Sequence, residues 1–363
     1  METIRAADAG ARITLVSEEQ AYARMALPYF LSGEVPESQV YIATPEYLKE
    51  LRVDARLGKR VASVDGPGRS LTLVGGEKLD FDTLLIATGS SAVRPSVPGI
   101  DGKEIYNLWT VEDARQVVAR AVKGKRVTFI GGGFIGFIVL NALHKVGCNL
   151  TVIEVENQVL PRMLDAESAQ LVAGVLARKG VRVVTGRRVT EIEPNGGAKM
   201  LRLERGGSVV ADLVISAAGV RPNVAFLAGS GISVDHGVPV DDHLRTNYPW
   251  IYAAGDCAQG PDFSTGERTV HAIQPTAVDH GRVAGANMAG GDVPYRGSLS
   301  MNVLDVCGLQ CVSYGLWKGE KRRVIRTVNA ERPVYRKLVF DGDRMVGAIF
   351  VGPAKDIMML NDV

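Results

Sequence analysis

The sequence predicts an α/β fold built on parallel sheets, and two patterns indicate it. Short apolar runs alternate with helical patterns of about 10 to 15 residues, which is typical of parallel strands linked by helical crossovers. The 363 residues also include 41 glycines, about 11% of the chain against a usual ~7%, and no low-complexity tract contains them. We therefore expect these glycines at specific turns, as in nucleotide-binding folds.

The predicted elements follow from apolar periodicity. In chain order they are strands at 12–16, 84–87 and 126–130, a helix at 134–146, a strand at 150–153, a helix at 165–178 and a strand at 181–184. Gly-Gly turns between Arg187 and Asp212 predict a β-meander, after which residues 212–216 return to the parallel pattern. From Ser298 to Val363 the pattern indicates mainly antiparallel strands, with a hairpin turn at residues 341–343.

Composition excludes several classes of protein. The 42 lysines and arginines nearly balance the 40 aspartates and glutamates, and the short basic run at 321–323 is typical of a solvated face, so no nucleic-acid partner is expected. The most apolar stretch, 127–143, is cut by four glycines, so no membrane span is expected. The chain starts without an apolar signal core and holds only four cysteines, so a cytoplasmic location is expected.

The strongest motif is a glycine turn between a predicted strand and a predicted helix. Gly131, Gly133 and Gly136 fit the pattern G-x-G-x-x-G, and Glu154 ends the next strand about 20 residues further on. The first glycine allows a tight turn, the second lets the backbone approach a pyrophosphate, and the third lets helix and strand pack closely. The helix N-terminus offers its N–H groups to the phosphates. The motif predicts a Rossmann-like domain that binds NAD.

Glu154 also predicts which nicotinamide dinucleotide binds. Its carboxylate would accept hydrogen bonds from the adenosine ribose hydroxyls. A 2′-phosphate would instead meet a like charge, and the repulsion is roughly 4 kcal/mol per unit charge at 4 Å and an effective dielectric constant of 20. Positions 155–157 provide no arginine to receive that phosphate, and Arg162 is expected to lie beyond the ribose. NADH is therefore expected in preference to NADPH.

Further strand ends repeat this design elsewhere in the chain. Residues 84–89 and 213–219 are apolar strands that end in small turns, and residues 251–256 form a third strand that ends in an acidic residue. This order arises when one dinucleotide-binding domain interrupts another. We predict two Rossmann-like domains, one inserted in the other, followed by a C-terminal α+β domain.

Over nearly its whole length the chain resembles the FAD-dependent pyridine nucleotide–disulfide oxidoreductase superfamily. The branch it resembles most contains NADH-dependent rubredoxin and ferredoxin reductases and the flavin part of the nitrite reductase large subunit. The matching motifs are Ala87-Thr88-Gly89, the glycine turn at 131–136, Gly219-Val220-Arg221-Pro222-Asn223 and residues 246–256.

The resemblance implies FAD as a second cofactor and names residues that would hold it. Asp256 would hydrogen-bond the ribityl chain of FAD. The Pro275-Thr276 turn would start a helix whose N-terminus faces the flavin pyrimidine. Four other residues would contribute to the two cofactor sites, namely Arg24, Thr88, Gly89 and Gly219.

One departure from the family concerns the start of the FAD site. The family's first strand and its G-x-G-x-x-G loop would, by the spacing of the second unit, lie before Met1. Residues 1–9 are then the remnant of the first helix, and Glu18 takes the ribose position, with Glu19 as the neighbouring alternative. Weak FAD binding is therefore expected.

Other departures concern the chemistry at the flavin. Met25 stands where disulfide-exchanging members have a redox cysteine, and a thioether forms no thiolate, so disulfide reduction by that route is excluded. Tyr29 and Ile138 stand where many relatives carry a Lys–Glu pair, and both halves of the pair are absent together. Cys307 and Cys311 are expected to be structural thiols.

Neither a catalytic residue nor a metal site is assigned from the sequence. His271 could face the flavin, although a structural role is favoured, and the other histidines show no paired metal spacing.

The sequence thus predicts an FAD-binding domain at 1–108 and 238–297, an NAD-binding domain at 109–237 and a C-terminal interface-type domain at 298–363. NADH would deliver hydride to FAD, and electrons would pass to an acceptor such as rubredoxin, ferredoxin or a nitrite-reductase-type centre. The alternative is a non-catalytic nucleotide-binding or assembly subunit with impaired FAD binding. The expected partners are NADH and a small electron-transfer protein, and a homodimer is left open.

Overall fold

The computed structural model describes residues 1–329 and 331–353. The chain divides into two compact units. Unit 1 comprises residues 1–23, 41–91 and 221–300, and unit 2 comprises residues 24–40, 92–220 and 301–363. The three domain ranges expected from the sequence stay predictions.

Unit 2 is organised around a five-stranded parallel sheet with the order β11-β10-β9-β15-β8. Its strands are β8 (Ile105–Tyr106), β9 (Arg126–Ile130), β10 (Asn149–Ile153), β11 (Arg182–Val184) and β15 (Leu213–Ser216). The central strand β9 is buried from its second residue onward, as its unbroken apolar run predicts. The strand predicted at 126–130 is confirmed to the residue.

Three of the four helices described in unit 2 have recognisable capping residues. They are α2 (Leu27–Leu31), α4 (Val111–Val118), α5 (Phe134–Val146) and α6 (Ala166–Arg178). Thr110 and Asp113 form a capping box at the start of α4, and Asp165 caps α6 through the Ser168 N–H. Helix α5 ends at Gly147, whose φ of +88° suits the left-handed position after a helix.

Two antiparallel sheets complete unit 2. The predicted meander is confirmed as β12 (Val189–Asn195), β13 (Ala198–Leu203) and β14 (Ser208–Ala211). The C-terminal sheet has the order β21-β22-β25-β24-β23, made of β21 (Met301–Val306), β22 (Leu309–Gly315), β23 (Arg323–Asn329), β24 (Val334–Asp341) and β25 (Arg344–Gly352). From 301 to 353, leaving out residue 330, the structure has strands only, so the helical part of the expected α+β domain is not found there.

Asp165 joins the cap of α6 to the C-terminal sheet. Its Oδ2 atom accepts hydrogen bonds from the Tyr335 hydroxyl at 2.7 Å and from the Lys337 ammonium at 2.9 Å, both on β24. Burial acts to raise the pKa of Asp165, but the bonds from Tyr335, Ser168 and Lys337 outweigh it and hold the pKa below its ordinary value. The carboxylate thus serves both elements in its ionised form.

Unit 1 has shorter sheets. Its helices are α1 (Glu2–Ala7), α3 (Pro45–Glu50) and α7 (Gln274–Met288). Strand β1 (Ile13–Ser17) pairs in parallel with β2 (Val53–Leu57), and β6 (Leu84–Ile86) pairs in parallel with β18 (Ile251–Ala253). The remaining strands are β3 (Val61–Asp65), β4 (Ser70–Leu73), β5 (Lys78–Asp80), β17 (Val238–Pro239), β19 (Ala258–Pro261) and β20 (Arg268–Thr269), while β7 (Ser90–Ala92) and β16 (Val220–Pro222) lie at unit boundaries.

The parallel strands of unit 1 are arranged differently from those of unit 2. In unit 2, β9 leads into the glycine turn and lies between β10 and β15. In unit 1 the corresponding strands are β1 and β6, and among the residues described no strand pairs with both. Among the residues described, unit 1 therefore holds two separate parallel pairs, β1-β2 and β6-β18.

The helices were also compared with the length and apolarity needed to cross a bilayer. In the part of the chain that the structure describes, no helix meets both requirements.

Candidate dinucleotide and flavin sites

The glycine turn after β9 has the geometry that its motif predicts. Gly131 has φ of +106°, and a Cβ atom there would lie 2.5 Å from the Ala217 carbonyl oxygen, so only glycine fits. At Gly136 a Cβ atom would lie 3.0 Å from the Gly131 carbonyl oxygen. Gly133 caps α5 without a side chain and faces open space. The first N–H groups of α5 are therefore accessible to an anion.

Glu154 is fixed beside this turn. It follows β10, it is only 5% exposed, and its Oε2 atom accepts the Gly132 N–H at 2.6 Å. Its Oε1 atom accepts the Glu156 N–H at 2.8 Å. A carboxylate has about four acceptor positions, so two remain for hydroxyl donors. This arrangement fits the adenosine ribose of NAD.

Gly219 lies after β15 in the same unit. Its φ is +110°, and a Cβ atom there would contact nothing within 4 Å. Its carbonyl oxygen accepts the Val93 N–H at 2.9 Å. The residue is thus held by its backbone next to open space, and its cofactor contact stays a prediction.

On unit 1, Asp256 lies in the turn that follows β18, where a serine hydroxyl bonds to its carboxylate. The preceding residue, Gly255, has φ of +72°. The Oδ2 atom of Asp256 accepts a hydrogen bond from the buried Ser90 hydroxyl at 2.7 Å. The sequence did not single out Ser90, although it follows the Thr88-Gly89 turn by one residue.

Asn223 ties the Thr88-Gly89 turn to the segment after β16. Its side-chain Nδ2 donates to the Thr88 carbonyl at 3.0 Å, and its backbone N–H donates to the Gly89 carbonyl at 2.9 Å. The Thr88 hydroxyl donates in turn to the Asn223 carbonyl at 2.7 Å. The Thr88 side chain is therefore engaged locally, and what this turn can offer a ligand is mainly backbone.

Helix α7 begins where the sequence predicts, with Pro275 and Thr276 in its first turn. Its N-cap residue, Ile273, makes no side-chain hydrogen bond to the helix, so the first N–H groups lack an intrahelical partner. A helix N-terminus of this kind carries a partial positive charge. That charge suits an anionic group such as a reduced flavin pyrimidine.

Glu18 and Arg24 have surroundings that differ from those of the NAD side. Glu18 follows β1 as Glu154 follows β10, but its side chain is 58% exposed and only meets Arg60 at 3.4 Å. Arg24 stacks on the Trp109 ring at 4.0 Å and donates from Nε to the Trp109 carbonyl. The proposed FAD contacts of both residues stay predictions.

The sulfur residues give no reactive thiolate. Met25 is exposed, and its correspondence to a redox cysteine stays a prediction. The four cysteines are free and buried, and burial raises the pKa of Cys307 to about 11 and of Cys311 to about 12. Burial likewise raises the pKa of Cys148 and of Cys257. These thiols stay protonated at neutral pH.

Histidines and acidic groups have local partners. His271 Nε2 lies 2.8 Å from the Asp262 carboxylate, and both side chains are largely buried. Asp241, Asp242 and His243 come close enough to hold an ion. However, His243 already meets Asp242 at 2.7 Å, and Asp241 accepts two backbone N–H groups.

The glycine turn after β9 and the Asp256 turn after β18 have the features expected of two dinucleotide-binding sites. Residues 2–281 match the family described as pyridine nucleotide-disulphide oxidoreductase, and residues 301–363 match the rubredoxin NAD+ reductase C-terminal domain. The chain belongs to the pyridine nucleotide-disulphide oxidoreductase family. It is an NAD(P)H-dependent flavin oxidoreductase, whose class uses FAD and NAD(H).

Individual relatives are similar over most of the chain. The NADH-dependent phenylglyoxylate dehydrogenase subunit epsilon of Aromatoleum evansii is 30% identical over 96% of this chain and 84% of its own. The ferredoxin–NAD(+) reductase component of the anthranilate 1,2-dioxygenase system of Burkholderia cepacia is 32% identical over 98% and 88%. A nitrite reductase of Bacillus subtilis is 27% identical over 92% of this chain but only 41% of its own length.

The fold agrees with solved structures as well. The NAD-dependent persulfide reductase from A. fulgidus superposes with a TM-score of 0.90 at 28% identity, covering 99% of this chain and 73% of that one. Mixed α/β architecture with Rossmann-like domains is therefore confirmed.

The residues present fit NAD fully and FAD in part. For NAD, the glycine turn, the open space at Gly133 and the Glu154 carboxylate are all in place. For FAD, the Asp256 turn and the N-terminus of α7 suit the flavin end. Among the residues described, no G-x-G-x-x-G turn precedes β1.

Proposed function

We propose that this chain oxidises NADH and passes the electrons through FAD to a small one-electron carrier of the rubredoxin or ferredoxin type. The observation that carries this proposal is the glycine turn with the buried Glu154 beside it, together with Met25 where the family resemblance places a redox cysteine. An acceptor reduced without a protein thiol is then favoured. Two carrier molecules would be reduced per NADH, with release of NAD+ and a proton.

The protein's own part in this reaction is binding and charge placement. Glu154 would hold the adenosine ribose, and the first N–H groups of α5 would hold the NAD pyrophosphate. Asp256 would hold the ribityl chain, while the N-terminus of α7 would stabilise negative charge on the flavin pyrimidine. FAD, when bound, supplies the conversion between hydride transfer and single-electron transfer.

The names of two relatives support this reading. One is the reductase component that serves a ferredoxin in Burkholderia cepacia, and another is a rubredoxin-NAD(+) reductase of Pseudomonas putida, 30% identical over 73% of this chain. A cytoplasmic location and a homodimer remain predictions from the sequence.

Acceptor competition tests the proposal. Protein supplied with excess FAD and NADH is offered a ferredoxin or rubredoxin coupled to cytochrome c, and in parallel a small aromatic disulfide. We expect cytochrome reduction that depends on the carrier and little disulfide reduction. The variant Met25→Leu should behave as the wild type, since no thiol is needed. Disulfide reduction faster than carrier reduction would overturn the proposal, as would protein that oxidises no NADH with either acceptor.

A further inference from the structure

A buried histidine, His280, contacts the turn that presents Asp256. His280 lies on α7 and is 1% exposed, and its Nδ1 atom accepts the Gly255 N–H at 3.2 Å. Burial lowers its pKa to about 4, so the ring is neutral at physiological pH. Because Nδ1 is the acceptor, the ring proton resides on Nε2.

The second ring nitrogen of His280, Nε2, has apolar surroundings. Among the residues described, buried Nε2 has no hydrogen-bond partner, and a Cβ atom on Gly260 would lie 3.3 Å from it. The Tyr295 ring lies with its centroid 4.6 Å away at 84° to the imidazole. A leucine would suit these apolar surroundings better, since it would bury no unpaired donor. What leucine lacks is the acceptor for the Gly255 N–H.

That acceptor acts on the residue next in the chain. Gly255 is in a left-handed conformation and its Cβ position lies 3.4 Å from Ala277 on α7, so the turn sits directly on the helix. Asp256 follows at once and is held from its other side by the Ser90 hydroxyl. The bonds that hold the Asp256 carboxylate in place therefore include one from Ser90 to its side chain and one from the preceding amide to His280.

We propose that His280 is a positioning residue for FAD: its Nδ1 atom fixes the Gly255 amide and thereby aims Asp256 and sets the turn against the first half of α7. The role rests on the proposed function, because it assigns Asp256 to the ribityl chain. His280 itself touches no substrate in this assignment. Its effect reaches the cofactor only through the turn.

Substitutions separate this role from packing. In His280→Asn the side-chain oxygen takes nearly the place of Nδ1, so the acceptor is kept in a smaller side chain. In His280→Leu the volume is filled but the acceptor is lost. His236→Leu, at an exposed histidine of the same unit, is the matched control.

The first measurement is hydrogen exchange of the Gly255 amide in the chain without FAD. We expect His280→Leu to speed this exchange about tenfold, the effect of one lost hydrogen bond, while His280→Asn and His236→Leu leave it unchanged. Equal protection of Gly255 in wild type and His280→Leu would overturn the proposal, whichever reaction the protein catalyses.

The second measurement pairs FAD titration, followed by flavin fluorescence, with thermal unfolding of the FAD-free chain. We expect His280→Leu to weaken FAD binding about tenfold while its melting temperature stays level or rises. His280→Asn should lose stability but keep FAD affinity. If affinity follows melting temperature in both variants, His280 is a packing residue only. If Gly255 loses protection and even the wild type binds no FAD, the proposed cofactor use fails and the positioning role with it.

Discussion

A neutral side chain at Glu154 should remove the preference of the NAD site for NADH. In the structure each carboxylate oxygen of Glu154 accepts one backbone N–H, from Gly132 and from Glu156. Glu154→Gln keeps the size and one acceptor but removes the charge. Adding Val155→Arg, at an exposed neighbouring position, supplies a cation for a 2′-phosphate.

The magnitude follows from the charge pair. Each unit of negative charge placed 4 Å from the carboxylate is repelled by roughly 4 kcal/mol at an effective dielectric constant of 20, which corresponds to about three decades of affinity before screening. Screening by solvent at the ribose lowers this, so we expect the wild type to favour NADH by at least about tenfold. Glu154→Gln should bring the two affinities close together, and the double variant should favour NADPH.

The assay is a fluorescence titration of NADH and NADPH into the chain without FAD, at equal salt, so that flavin binding does not enter. Glu156→Gln is the control, because its backbone N–H stays in place while a nearby charge is removed. Equal affinity of the wild type for both dinucleotides would refute the reasoning. So would a shift in Glu156→Gln as large as that in Glu154→Gln.

Three further outcomes are expected. An added upstream strand with a G-x-G-x-x-G loop should tighten FAD binding by at least about two decades, since each regained charge-assisted contact contributes roughly 1.5–3 kcal/mol; equal affinities in parallel FAD titrations would contradict this. A bond from Arg126 lowers the pKa of Asp212 to about 2, so the stabilisation present above its ordinary pKa near 4 disappears as the pH falls towards 2. Asp212→Asn should therefore reduce the fall in the free energy of unfolding over this pH range. Urea unfolding at several pH values measures this, and identical pH slopes would count against it. Serine in place of Cys257, Cys307 or Cys311 should leave NADH-dependent dye reduction within a few-fold of the wild-type rate. A large loss of activity at any of them would instead indicate a thiol mechanism.

The NAD half of the molecule was largely predictable from the sequence. Strand 126–130 and helix 134–146 are found to the residue because an unbroken apolar run, a glycine turn and a closing Gly147 all favour the same boundaries. The position of Glu154 directly after β10 also follows from local spacing. Here the local preferences and the fold agree.

Other features depend on contacts that spacing does not show. Ser90 and Asp256 are 166 positions apart, and nothing in their local sequence pairs them. His280 shows no motif, and its contact with Gly255 arises only when α7 packs on the turn. The small sheet β3-β4-β5 was missed because its strands are three to five residues long and mixed in polarity. Such short strands give little periodicity to detect.

The shared carboxylate of Asp165 has a consequence for any attempt to study the NAD-binding region alone. A fragment that stops before residue 301 would lose the hydroxyl and ammonium donors that Tyr335 and Lys337 bring to it. The excised C-terminal sheet would in turn carry Lys337 without its counter-charge, at a position that is 8% exposed in the chain. Removing either element would leave the other with an unpaired, largely buried charge, so a dissected NAD-binding fragment should retain residues 301–353 to report the behaviour of the parent protein.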